Sequence, residues 1–399
     1  MKKKLFWLIP MVVLLAFALI IGGCGQKASP PPGAGQTEKP KEVLRIGAIY
    51  SITGPAASLG IPERDTVVML EEQINAAGGI NGHPVEVIIY DDESDGTKGM
   101  LAAKKLVEEH GVNVVIGPTT SGVSLALKPY FTEMEIPLVS AAAAAKIVEP
   151  VNESYWIFKT AQSDYLVFEV IIDYLKKNNM KKVGFISEAS GFGDSGRLEL
   201  EKLAPAAGIE VVAWERFDRA DRDMTAQLTK IRRQNPDAII VWSIPPAASV
   251  VQQNIFDMGF KIPIIQSHGV GNKAFIEVAG PAAEGVIFPA GKILIADYLP
   301  DSDPQKKTIL KFRDDYAKKF GTNPSTFAGH GWDGMMLVVA ALESGARTPQ
   351  EIRDYLENKK NFVGITGMFN FSAQDHNGLD RSALAWIEIK DGKWIKHEK

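Results

Sequence analysis

Three hydroxyls in succession, Thr119, Thr120 and Ser121, follow Gly117-Pro118 and lead into a helical segment from Gly122. Hydroxyls and main-chain N–H groups gathered at a helix start suit an anion, because first-turn N–H groups have no intrahelical acceptor and the helix dipole is positive there. Simple N-capping is the plainer role, since Ser and Thr cap helices routinely. In the loop Ser140-Ala141-Ala142-Ala143-Ala144-Ala145, small side chains, Ala142 and Ala144 among them, let a ligand approach the main chain or make a tight helix start. Three loops of the second half are counterparts: 188–194, where Phe192 stands between two glycines; 243–246, which begins Ser243-Ile244; and 267–270, which carries His268. Phe192 suits covering an apolar body as well as packing its own loop, and His268 can donate or accept a hydrogen bond.

The same stretch mimics two catalytic motifs. Gly193-Asp194-Ser195-Gly196 has the look of a serine nucleophile loop, but such catalysis needs a base and its orienter, and nothing in the sequence marks either. Gly191-Phe192-Gly193-Asp194-Ser195-Gly196 fits G-x-G-x-x-G between a strand and a helix, with Glu215 at a ribose-binding distance, which keeps a Rossmann-type nucleotide-binding enzyme as a lesser alternative. The six histidines, 83, 110, 268, 330, 376 and 397, lack metal-ligand spacing. No cofactor and no metal are expected, and the chain reads as a binding protein, not an enzyme.

Alternating strand and helix signals position these loops. Strands are predicted at 43–50, 85–90, 112–116 and 137–140, with helices at 63–77, 98–109 and 122–133 between them. A second run follows residue 160, with helices at 165–177, 197–206, 225–234 and 247–258 and strands at 182–187, 210–214, 238–242 and 263–266. Such alternation predicts parallel sheets covered by helices, with ligands at the carboxyl ends of the strands. Late helices at 306–320, 325–342 and 348–356 suit a return to the first lobe, and a hairpin from 384–389 to 394–397 suits completion of the second. Three crossings, near 161–164, 288–292 and 370–382, would make a hinge. The expected lobes are 43–161 plus 292–375 and 162–291 plus 376–399.

At the front, Lys2, Lys3 and Lys4 precede an apolar run from Leu5 to Ile21 and then Gly22-Gly23-Cys24. A basic start, an apolar run and small residues at a cut make a secretory signal over 1–23, and a short membrane anchor is the alternative. The pattern resembles a bacterial lipobox, which implies that the Cys24 thiol takes a diacylglycerol and tethers the exported protein to a membrane. Cys24 is the single cysteine of the 399 residues, so disulfides contribute nothing to stability. Residues 24–42, with Pro30-Pro31-Pro32, read as a flexible tether. Removal of 1–23 leaves 376 residues carrying 41 basic against 48 acidic side chains, an acidic balance that argues against nucleic acid.

Further markers occur in a fixed order: Ile46-Gly47, Thr53-Gly54-Pro55 and Gly60; Ile74-Asn75-Ala76-Ala77-Gly78-Gly79-Ile80-Asn81-Gly82; Asp91-Asp92; Ile116-Gly117-Pro118 with Ser121; and Gly191-Phe192-Gly193 with Gly196. In their order and spacing, the chain from about 43 to 399 resembles the substrate-binding lipoproteins of ABC importers for branched-chain amino acids and related compounds, a branch of the type I periplasmic binding proteins. The resemblance implies an α/β fold of two Rossmann-like lobes closing around a solute, an ABC permease as partner, and a monomer. A sensor that presents its bound state to a receptor is the alternative.

For the site, the resemblance implies that Ser121 and neighbouring N–H groups hold a carboxylate. Ala144 stands where a threonine helps bind an ammonium, His268 where a glutamate pairs with it, and Leu59, Phe192 and Ile244 where aromatics line the cleft. A buried ammonium without a counter-charge is expensive. A carboxylate with an apolar or aromatic body is therefore expected, with an amide or other neutral solute also open. If His268 faces the cleft, its protonated form adds a donor, and acid affinity is expected to rise as pH falls through roughly 6.5.

Overall fold

Residues 41–398 are described by a computed structural model; the signal segment, Cys24 and the tether up to residue 40 lie outside the described residues. Strand β1 (Leu44–Tyr50) is apolar on both faces, as a central parallel strand must be. Helix α1 (Ala57–Ala76) leads to β2 (Val85–Asp91), α2 (Gly96–Lys104) to β3 (Val115–Ile116), and α3 (Ser121–Glu133) to β4 (Leu138–Ser140) and β5 (Ile157–Lys159). These strands form one all-parallel sheet in the order β2-β1-β3-β4-β5.

The second run comprises α4 (Asp164–Lys177), β6 (Lys182–Glu188), α5 (Gly191–Leu203), β7 (Glu210–Phe217), α6 (Thr225–Arg233), β8 (Ala238–Trp242), α7 (Ala247–Asp257), β9 (Ile264–Gln266), α8 (Lys273–Ala279) and β10 (Ile287–Gly291). Helices α9 (Lys306–Phe320), α10 (Thr326–Glu343) and α11 (Pro349–Asn358) follow, then the small hairpin β11 (Phe362–Val363) and β12 (Met368–Phe369), and finally β13 (Leu384–Lys390) and β14 (Lys393–Lys396). The second sheet runs β14-β13-β10-β9-β8-β6-β7, parallel except where β13 pairs antiparallel with β10 and β14.

Helix α10 is apolar nearly all round because it is buried against the first sheet: Met335, Val338 and Leu342 share a core with Ile46, Ala48 and Val67. Helix α11 starts on a full capping box, Thr348 with Glu351, with Pro349 at its first position. The chain thus passes between lobes after β5, after β10 and after Asn377, whose side chain is still bonded to the Lys159 and Ala161 carbonyls.

Several boundaries differ from those read off the sequence. The expected strand 112–116 shrinks to Val115–Ile116, and α5 starts at Gly191 instead of 197. Four strands lie outside the predicted set: β5, which ends on the fully buried Lys159, β10, which contains Pro289 and lies beside a predicted crossing, and the two-residue pair β11 and β12.

Candidate functional site

The loop from β3 into α3 depends on Gly117. Its φ is +86°, and a Cβ there would lie 2.0 Å from the Ile49 carbonyl oxygen, so a glycine alone lets the loop press onto β1. The three hydroxyls that follow have separate uses. Thr119 Oγ1 accepts from the Ser51 N–H at 3.0 Å and donates to the buried Glu63 carboxyl group, whose pKa burial raises well above the usual range. Thr120 caps α3 by accepting from Val123 N–H at 3.4 Å. Ser121 Oγ accepts from Ala144 N–H at 3.2 Å, which leaves its own proton to donate. Thr120 and Ser121 thus each keep a hydroxyl proton to donate to an anion, beside the first-turn N–H groups of α3.

The opposite lobe builds its wall from side chains, held by Glu188 at the end of β6. That fully buried carboxylate accepts from Ser190 Oγ at 2.5 Å, Ser243 Oγ at 2.7 Å and Ile244 N–H at 3.1 Å, and pairs with Arg219. It thereby ties the N-cap of α5 to the loop after β8. Gly193 permits the tie, since a Cβ there would lie 1.8 Å from the Glu188 carbonyl oxygen. Phe192 then stacks on Trp242 with centroids 5.4 Å apart and meets His268 edge-on at 5.6 Å.

The two walls close on one small cavity. Leu59, Thr119, Thr120, Ser121 and Ala142 line it from the first lobe, and Phe192, Ile244 and His268 from the second. The structure thus brings together eight of the nine residues singled out beforehand. Ala144 does not reach the cavity; buried behind it, its N–H orients Ser121. Ala141, Ala143, Ala161, Gly269, Phe327 and His330 complete the lining, and no aspartate, glutamate, lysine or arginine is among these residues. Phe327 and His330 lie in the first turns of α10, a helix whose apolar sequence gave no sign of facing a cleft.

The lobes also touch directly. Asn272 Nδ2 donates to the Ser58 carbonyl at 2.5 Å, and a Cβ on Gly191 would lie 3.0 Å from Gly122. Since Gly122 and Gly191 open α3 and α5, the amino ends of two helices face each other across the cleft. The first glycine of the G-x-G-x-x-G stretch is therefore packed on the other lobe, with no room there for a pyrophosphate.

Charge near the cavity is buried and opposed. Lys159 Nζ donates to the Ala143 carbonyl at 2.6 Å; burial raises the Asp164 carboxyl pKa while Lys159 opposes the rise. His268 Nε2 stands 3.9 Å from Asp164 Oδ1, too far for a hydrogen bond. Burial, with the charges of His330 and Lys159, lowers the His268 pKa to about 3, and burial with Lys159 lowers that of His330 to about 3. The expectation of a titration near 6.5 that strengthens acid binding is thereby corrected: in the closed cleft both imidazoles are neutral.

Residues 43–393 match the family model described as Periplasmic binding protein. Leu/Ile/Val-binding protein homolog 2 of Brucella abortus (strain 2308) is 25% identical over 360 residues, covering 89% of this chain and 94% of that protein. The structure of an extracellular ligand-binding receptor from Rhodopseudomonas palustris HaA2 matches with a TM-score of 0.83 at 34% identity, over 89% of this chain and 99% of the other. The branched-chain amino acid transporter substrate-binding protein LivJ from Streptococcus pneumoniae, solved with isoleucine, matches with a TM-score of 0.77 at 27% identity, over 89% and 100%. These relatives bind solutes and are not enzymes, and with its two-lobed α/β fold this chain belongs to the type I periplasmic binding proteins of the branched-chain amino acid family.

Proposed function

We propose that this receptor captures a small carboxylate with an apolar or aromatic body and delivers it to an ABC permease. One observation carries the ligand class: the cavity offers the Ser121 hydroxyl and the α3 amino end to a carboxylate but lines no side-chain carboxylate against an ammonium. An α-amino acid would desolvate its ammonium beside alanines and neutral imidazoles. The aromatic pair Phe192 and Phe327, with Leu59 and Ile244, suits a flat apolar body. In this reading the two lobes move as bodies about the three connections, with His376 and Asn377 staying with the first lobe, the closed monomer docks on the permease, and Cys24 carries the lipid that keeps it at the membrane.

The relatives' names favour a second reading, a branched-chain amino acid. Calorimetric titration of the purified protein with benzoate, phenylacetate, leucine, isoleucine and valine separates the two. Binding of the acids and weak binding of the amino acids is expected; tight leucine binding without acid binding would restore the amino-acid assignment.

A further inference from the structure

Two histidines of the cavity remain without a role in carboxylate binding. His268 enters from the turn after β9 and His330 from α10, so they come from opposite lobes, and each is held edge-on by a lining phenylalanine: Phe192 with His268 at 5.6 Å and 71°, Phe327 with His330 at 5.7 Å and 87°. They are 6% and 4% exposed. Thr366 Oγ1 holds His330 Nδ1 at 2.9 Å, which leaves Nε2 for another partner. His268 Nδ1 is buried with no partner among the described residues. Buried polar atoms are ordinarily satisfied, so an imidazole nitrogen left unpaired on a cavity-lining residue marks where another molecule completes the bonding.

We propose that the solute carries, besides its carboxylate, a hydroxyl group held between His268 and His330. This inference rests on the carboxylate reading above. A neutral imidazole has one donor and one acceptor, and a hydroxyl is the small uncharged group that both donates and accepts, so it serves either tautomer on either side. A second carboxylate would call for protonated histidines beside Lys159, and an ammonium would find no counter-charge on the wall. The charge of both histidines is opposed by burial, in keeping with an uncharged partner.

The test is calorimetric titration with acids that differ by one hydroxyl: benzoate against 3- and 4-hydroxybenzoate, and phenylacetate against 3- and 4-hydroxyphenylacetate. A buried site built to bond a hydroxyl should favour one hydroxylated member by about tenfold or more. In His268→Phe and His330→Phe the ratio of the two affinities should fall to within about twofold, and His330→Gln, which retains a bonding group, should restore part of it. Equal affinity within every pair in the wild type would overturn the hydroxyl while leaving the carboxylate reading in place. Failure of all six acids to bind would overturn that reading itself. Should the phenylalanine variants not fold, as judged by circular dichroism, the wild-type pairs decide alone.

Discussion

The two walls of the cleft are built from different material. On the first lobe the recognising groups in the loops at the sheet's carboxyl end are main-chain groups and short side chains, the α3 amino end, Ser121, and an alanine loop whose Ala144 N–H sets that serine, while α10 adds Phe327 and His330. On the second lobe they are large side chains, Phe192, Ile244 and His268, held in place by a buried carboxylate. A main-chain site has one geometry and reads a functional group shared by many solutes. A side-chain wall changes with single substitutions and reads the rest of the molecule. In the proposed reading the α3 end accepts a class of compound, and the side-chain wall, with Phe327 and His330 of α10, selects within it.

That division can be broken at Glu188. Glu188→Ala leaves Arg219 without its partner and unties Ser190 from Ser243 and Ile244, and it should lower stability by about 3 kcal/mol. Urea unfolding measures this, and an unchanged midpoint would deny Glu188 its role as the clamp of the second wall. Ser121→Ala tests the other wall. Loss of one hydrogen bond to a charged group should weaken every acid by roughly 1.5 to 3 kcal/mol, about tenfold or more, without reordering them. A change in the order of preference would mean that Ser121 reads more than the carboxylate.

A smaller effect concerns acidity. Burial lowers both imidazole pKa values from the ordinary 6.5 to about 3, so each histidine favours the folded form fully above roughly pH 6.5 and loses that contribution as pH falls toward 3. The loss is about 1 kcal/mol per pH unit for each. Asp164, raised by burial, acts in the opposite sense, so the histidine part is read as the difference between wild type and His268→Gln. Thermal unfolding at pH 7 and pH 5 should show the wild type losing more stability than the variant. A larger loss in the variant would place charge on His268 in the folded state.

Much of the architecture was legible because short continuous apolar runs alternate with helical stripes, and turn residues such as Asn81-Gly82 punctuate them. The hydroxyl loop was legible too, because its position after a strand gave three ordinary residues a direction. The start of α5 was not. Gly191, Gly193 and Gly196 read as a loop by propensity, yet each is small to let something approach: the other lobe, the Glu188 carbonyl and the Trp242 ring. β5 was hidden by its short length and by Lys159, a charge that only a buried Ala143 carbonyl and Asp164 make tolerable. His330 could not be found from its own segment, since nothing in a helix buried nearly all round says which turn borders empty space.

The meeting of two helix amino ends at Gly122 and Gly191 bears on how faithfully the receptor reports its own state. Like partial charges repel, so an unfilled cleft resists closure, whereas an anion in the cavity beside the two ends attracts both. With glycine on both sides no side chain screens the effect. A transport system that responds to the closed shape would then seldom be triggered by an empty receptor, and the energy of translocation would not be discharged without cargo.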